Sequence, residues 1–337
     1  MRKQLFSLFI LSISLSFSAI AAEPENDGRL VESLFAELRT GYHHDFADGT
    51  SSGQFTVDYF NVNVAGHFSR NISYRIRQRF TKNPYDKDHL LNGTDFAWLS
   101  WQINPKWHIT AGKSAVAIGG YEFAEAPIDL YYTGDFCNRL FQYYTIGIIG
   151  GYTPVPGQTI MLQISESPLA NAAPSTFAYN LMWQGSMTKW WNTLWSVNFS
   201  EDRGNRFINY ISLGNQFVFG DFTWEFDFMN RAGFAQSQFA MSDWSLVSNF
   251  EYRAGKFNLL LKGGYDFNSK DNFDKNGTAF DLAVTPGTEY AFVGGGAEYF
   301  PIAGSKDLRL HAICHWNNAT KITRFDIGLT WRLQFVR

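Results

Sequence analysis

The sequence has only 2 cysteines in 337 residues. That is too few for a disulfide framework, and no CxxC metal spacing occurs. Cys314 shares the parity of Leu308, Leu310 and Ala312 on an apolar strand face, while Cys137 falls in a connection, so two unpaired thiols are expected. Beyond residue 22 no run of 18 apolar residues occurs, which excludes a transmembrane helix. Cationic excess is absent too: 28 Lys+Arg stand against 31 Asp+Glu, a net charge of −3, and no nucleic-acid partner is expected. No GxSxG occurs, and serines and histidines are scattered. His311 and His315 in HAICH lie four apart, a spacing that gathers a metal on a helix and not on a strand. No enzyme, cofactor or metal site is expected.

Aromatic residues, by contrast, are abundant at 18%, with 29 Gly beside them. From residue 32 onward the dominant signal is alternation with period two. In FDIGLTWRLQF, Phe325, Ile327, Leu329, Trp331, Leu333 and Phe335 alternate with Asp326, Gly328, Thr330, Arg332 and Gln334. Sixteen such segments are predicted, at 33–43, 54–68, 71–82, 94–103, 107–114, 140–152, 158–166, 177–186, 191–200, 206–217, 221–230, 243–253, 256–267, 289–299, 307–316 and 323–335. Most have the about 9–11 residues that a tilted strand needs to cross a bilayer. All 10 prolines fall outside them, as strand interiors require. Connections alternate between brief ones, such as Asn104-Pro105-Lys106 and Ala254-Gly255, and long ones, at 115–139 and 268–288.

A sheet in hydrocarbon must close, because each unpaired backbone amide there costs several kcal/mol. The fold class expected is therefore all-β: one transmembrane antiparallel β-barrel of about 16 strands, with 14 or 18 as alternatives. A secreted β-sandwich would also alternate, but a core of that many strands usually shows domain breaks. The opening MRKQ, the apolar stretch after it and Ala19-Ile20-Ala21 read as a signal peptide over residues 1–21, leaving 22–337 as one barrel domain.

Two constellations could carry function. The stretch ISYRIRQRF, residues 72–80, places Arg75, Arg77 and Arg79 on one face and Ile72, Tyr74, Ile76 and Phe80 on the other. In a lipid-embedded barrel the apolar face points out, so these arginines face the lumen. Arg39 shares that polar parity on the first segment, and Lys262, Arg309 and Arg332 lie elsewhere on the wall. Rings of basic residues line anion pathways; a solvated wall without a selectivity role is the alternative. The third loop, AVAIGGYEFAEAPIDLYYTGDFCN at 115–138, holds Glu122, Glu125, Asp129 and Asp135 and no Lys or Arg. Its many apolar residues must pack against something. It is expected to fold into the lumen, with packing against neighbouring loops or a partner subunit as the alternative.

The tract WHITAGKSAVAIGGYEF at 107–123, with its strand ending in Ala111-Gly112-Lys113 and its Gly-Gly-aromatic-Glu turn, resembles the phosphate-selective porin (O and P type) family of Gram-negative outer membranes. The resemblance implies a sixteen-stranded homotrimeric channel in the bacterial outer membrane, in contact with lipid and lipopolysaccharide. It also implies an arginine ladder, an inward third loop, and passive diffusion of small hydrophilic solutes or anions, phosphate among them. Phosphate-selective members place lysines at the constriction, and this loop has none. Its acids are similar instead to those of general-diffusion porins, in which Arg75, Arg77 and Arg79 would oppose Glu122, Glu125 and Asp129. The chain ends Phe335-Val336-Arg337, two residues past the aromatic that outer-membrane barrels commonly place last. A plugged structural or adhesive barrel without transport is the second reading.

Overall fold

The computed structural model describes residues 30–81, 93–139, 144–169, 175–203, 206–233, 236–273 and 284–336. The signal-peptide expectation lies outside them. The strands are β1 (Ser33–Ala47), β2 (Thr50–Ser69), β3 (Ile72–Arg79), β4 (Thr94–Asn104), β5 (Trp107–Ala115), β6 (Tyr144–Val155), β7 (Gln158–Glu166) and β8 (Phe177–Ser186). They continue as β9 (Trp191–Arg203), β10 (Arg206–Phe219), β11 (Phe222–Gly233), β12 (Asp243–Ala254), β13 (Phe257–Phe267), β14 (Glu289–Tyr299), β15 (Leu308–Asn317) and β16 (Thr323–Val336). Each pairs antiparallel with its neighbour in sequence, and β1 pairs with β16, closing a sixteen-stranded barrel. Two short helices, α1 (Tyr121–Ala124) and α2 (Asp135–Arg139), lie in the β5–β6 connection.

The polarity of the barrel is inverted. On β7, Ile160, Leu162 and Ile164 are 43, 55 and 48% exposed, while Gln163 between them is fully buried. Asn180 on β8 and Asn198 on β9 are also fully buried, and Leu181 and Phe199 beside them are exposed. Each large apolar side chain left in water forgoes about 1.5–3 kcal/mol. Such rows on strand after strand are stable only against hydrocarbon. Amide side chains inside satisfy one another: Asn198 Nδ2 donates to Asn180 Oδ1 at 2.8 Å, and Asn180 Nδ2 to Gln163 Oε1 at 2.9 Å.

Three local features depart from simple alternation. The β1–β2 hairpin runs further than expected, closing at Asp48-Gly49, whose φ angles of 44° and 79° form the two-residue turn that matches strand twist. Pro154 lies inside β6, at a register slip between Tyr152 and Val155, where no ladder amide is required. On β2 the register with β1 slips between Arg39 and Thr40, which pair with Tyr59 and Val57 and leave Asp58 as an extra residue. The exposed apolar residues Phe55 and Val57 precede this bulge, and buried Tyr59, Asn61 and Asn63 follow it on the same parity.

Candidate functional site

The β3 arginines lie on the face opposite exposed Ile72, Ile76 and Phe80. Their partners come from neighbouring strands. Arg77 Nε is 3.1 Å and Arg79 Nη2 is 2.7 Å from the two carboxylate oxygens of Asp95 on β4. Arg77 also donates to the Tyr144 hydroxyl at 2.5 Å and sits over the Phe96 ring at 4.2 Å. Arg75 Nη2 donates to Asn63 Oδ1 at 3.2 Å and also covers Phe96. One carboxylate thus serves two of three guanidiniums, and a guanidinium keeps its charge at any ordinary pH. The cluster formed by Asp95 and these three arginines carries surplus positive charge.

The β5–β6 connection is anchored residue by residue. Ala117 N donates to Gln163 Oε1 at 2.7 Å, Gly119 N to Ser196 Oγ at 2.7 Å and Gly120 N to the Leu194 carbonyl at 3.0 Å. A side chain at Gly119 would meet Leu194 O at 2.5 Å, and Gly120 has φ of 109°. Both glycines are therefore required by the close approach and the turn. The Asp227 carboxylate on β11 accepts from Tyr121 N and Glu122 N, each at 2.8 Å, and so holds the start of α1. Asp266 on β13 does the same for α2, accepting from Asp135 N at 2.7 Å and Phe136 N at 3.4 Å. Apolar residues of the connection account for its greasy composition. Val116, Ile118 and Phe136 join Ile208, Tyr210 and Met229 in one cluster, while Ala117 and Tyr121 join Ile149, Met161, Met182 and Leu194 in another.

Each acid of the connection has a distinct setting. Glu122 Oε1 lies 2.8 Å from Lys262 Nζ, and the same carboxylate oxygen accepts from Gly134 N at 3.1 Å. Asp129 Oδ1 is 2.6 Å from Arg309 Nη2. Asp135 pairs within its helix with Arg139 at 2.7 Å. Glu125 lines a narrow recess with Glu122, Glu225, Asp227 and Lys262. Burial pushes its carboxyl well above the ordinary carboxylate range, and Lys262 offsets this only in part. Two of the loop acids, Glu122 and Asp129, therefore pair with wall cations on β13 and β15, while Asp95 supplies counter-charge to the β3 row.

Of the remaining predicted cations, Arg39 and Arg309 hold backbone carbonyls of the connection and Arg332 holds a carboxylate. Arg39 Nη1 donates to the carbonyls of Ile128 and Leu130, both at 2.8 Å, and its guanidinium lies over Tyr131. Arg309 donates to the Ile128 carbonyl at 3.0 Å and reaches Glu298 at 3.3 Å. Arg332 Nε donates to Glu37 Oε1 at 2.7 Å on the adjoining strand. The acceptors Asp95, Asp227 and Asp266 escaped the sequence reading. Asp227 stands out only as a polar position in TWEFDF, and nothing in that pattern says which amide faces it.

Residues 37–188 match the phosphate-selective porin O and P family. Solved structures similar in fold include outer-membrane expressed OmpT of Vibrio cholerae, at 11% identity and TM-score 0.61, covering 89% of this chain and 97% of that one. A triple mutant of the Rhodopseudomonas blastica porin is similar at 14% identity and TM-score 0.55, covering 89% and 99%. No curated protein sequence matches the chain. The fold and the family match together support an outer-membrane channel. The chain is thus similar in fold to outer-membrane porins and, over residues 37–188, similar in sequence to the phosphate-selective porin O and P family, which supports a place in the bacterial outer membrane.

Proposed function

We propose that this porin passes small anions, phosphate-class solutes included, past the β3 arginines through a lumen narrowed by residues 115–139. The surplus charge around Asp95 carries the reading: two arginines share its carboxylate and a third lies beside them. Cations fixed on a low-dielectric wall replace hydration that a permeating anion sheds. Guanidinium forks suit phosphate and carboxylate in particular.

The partners of the connection support its inward position. Its hydrogen bonds reach β9 at Leu194 and Ser196, and β1 at Arg39, strands eight places apart around the sixteen-stranded ring. A segment joined to opposite walls crosses the interior, and its apolar packing against Met161, Met182 and Ile208 favours depth within the barrel. β3 and β11 are also eight places apart, so the arginine row stands across the ring from Glu225 and Asp227. Passage is passive, and the transverse field orients polar solutes between the two walls. Assembly as a homotrimer within lipid and lipopolysaccharide belongs to the same reading, and crosslinking in isolated outer membranes tests it.

Planar-bilayer recording tests the channel itself. Discrete conductance steps are expected, with the chloride current reduced by added phosphate. A folded barrel that never conducts would instead be plugged. Steps with no effect of phosphate would remove the phosphate-class part of the reading.

A further inference from the structure

We propose that His43, Asp58 and Asp326 form a site for a divalent transition cation of the zinc class on the inward face where β16, β1 and β2 meet. The three side chains offer ligand atoms that all lie within 4.8 Å of one another. His43 Nε2 is 3.2 Å from Asp58 Oδ1 and 3.5 Å from Asp326 Oδ2. Metal–ligand bonds of about 2.0–2.2 Å at tetrahedral angles set neighbouring ligand atoms roughly 3.3–3.5 Å apart. The two measured separations suit that geometry without backbone movement, and three protein ligands leave one position open.

Separate features of the fold build the cluster. Asp58 shares the inward parity of Thr56, and the β2 bulge after it brings Tyr59 to the same face, so that Asp58 is an extra residue with no β1 partner of its own. Thr56 Oγ1 donates to Asp58 Oδ1 at 2.7 Å and so fixes that carboxylate. His43 and Asp326 are direct cross-strand partners. Gly41 and Gly328, also paired, clear space on the same face: a side chain at Gly41 would meet Asp326 Oδ1 at 2.6 Å, and one at Gly328 would meet the His311 ring at 2.8 Å.

Buried polar atoms in and beside the cluster have no hydrogen-bond partner among the described residues. Asp58 Oδ2 is buried and has no hydrogen-bond partner among the described residues; its nearest cation, Arg39 Nε, is 3.7 Å away and likewise has no hydrogen-bond partner. The two Arg39 bonds described above go to loop carbonyls instead. Fully buried His311 lies with Nε2 3.2 Å from Asp326 Oδ1, and its Nδ1 has no partner. A histidine donating to the outer oxygen of a carboxylate leaves the inner oxygen for a metal, the arrangement that commonly orients metal-bound acids. The sequence alone gives no such hint, because His43 and Asp326 lie at opposite ends of the chain and meet only when the barrel closes.

Titration calorimetry of the folded, detergent-solubilised porin with zinc chloride tests the site. One saturable site per chain is expected. His43→Gln and Asp58→Asn should each weaken it at least about tenfold, and His311→Gln by about 10-fold through the orientation of Asp326. His44→Gln, on the outward face, should leave it unchanged. Heat-modifiable gel mobility checks that each variant is folded, and His43→Gln alone decides the matter if Asp58→Asn does not fold. Absence of saturable binding, or equal binding by wild type and His43→Gln, would overturn the proposal.

Discussion

Lys262 of β13 and Glu122 of the β5–β6 connection form a salt bridge of 2.8 Å with both side chains more than nine-tenths buried. The pair ties the connection to the wall, next to Glu125 and the Asp227 clamp on α1. Removing one partner leaves the other as an uncompensated buried charge, at about 3–5 kcal/mol. Lys262→Met should therefore loosen the connection more than the double change Lys262→Met with Glu122→Gln. Single-channel recordings should show noisier, larger steps in the single variant and partial recovery in the double. Identical traces for the wild type and Lys262→Met would mean that the segment is held without this pair.

The burial of Glu125 predicts a pH dependence. Its raised pKa means that the folded protein holds the proton to higher pH than the unfolded chain does. The stabilising effect of that proton is full below the ordinary value of 4.5 and is lost as pH rises from there through the raised value. Ionisation also adds negative charge beside the pathway, so anion preference should fall over the same window. Reversal potentials measured across that range should show the step in wild type and lack it in Glu125→Gln.

Asp95 makes an opposite and more specific prediction. Asp95→Asn removes the carboxylate shared by Arg77 and Arg79. Stability should fall by about 3 kcal/mol, since buried guanidiniums lose their counter-charge. Anion preference should nevertheless rise, because the row gains a full positive charge. A less stable variant with lower anion preference would contradict the role given to the row.

Much of the architecture is legible in the sequence. Strands β7, β8 and β14 have the predicted bounds, and on β7 exposed Ile160, Leu162 and Ile164 alternate with buried Gln163 and Ser165. The β2 bulge leaves a trace as well: apolar residues occupy odd positions at Phe55 and Val57, then even positions at Phe60, Val62 and Val64. Pro154 misleads, since proline excludes a ladder amide yet fits a register slip. The site is less legible. Alternation places Arg75, Arg77 and Arg79 on one face, but Asp95, Lys262 and Arg309 acquire their partners through closure of the ring. Capping of α1 and α2 by Asp227 and Asp266 runs through backbone amides, which carry no residue signature.

The β3 row is proposed to set ion preference. Reversal potential under a salt gradient, compared between wild type and a variant with Arg75, Arg77 and Arg79 all changed to Gln, tests it most directly. Wild type should favour anions, and the variant should lose that preference or turn toward cations while still conducting. An open, folded variant with an unchanged reversal potential would contradict the account.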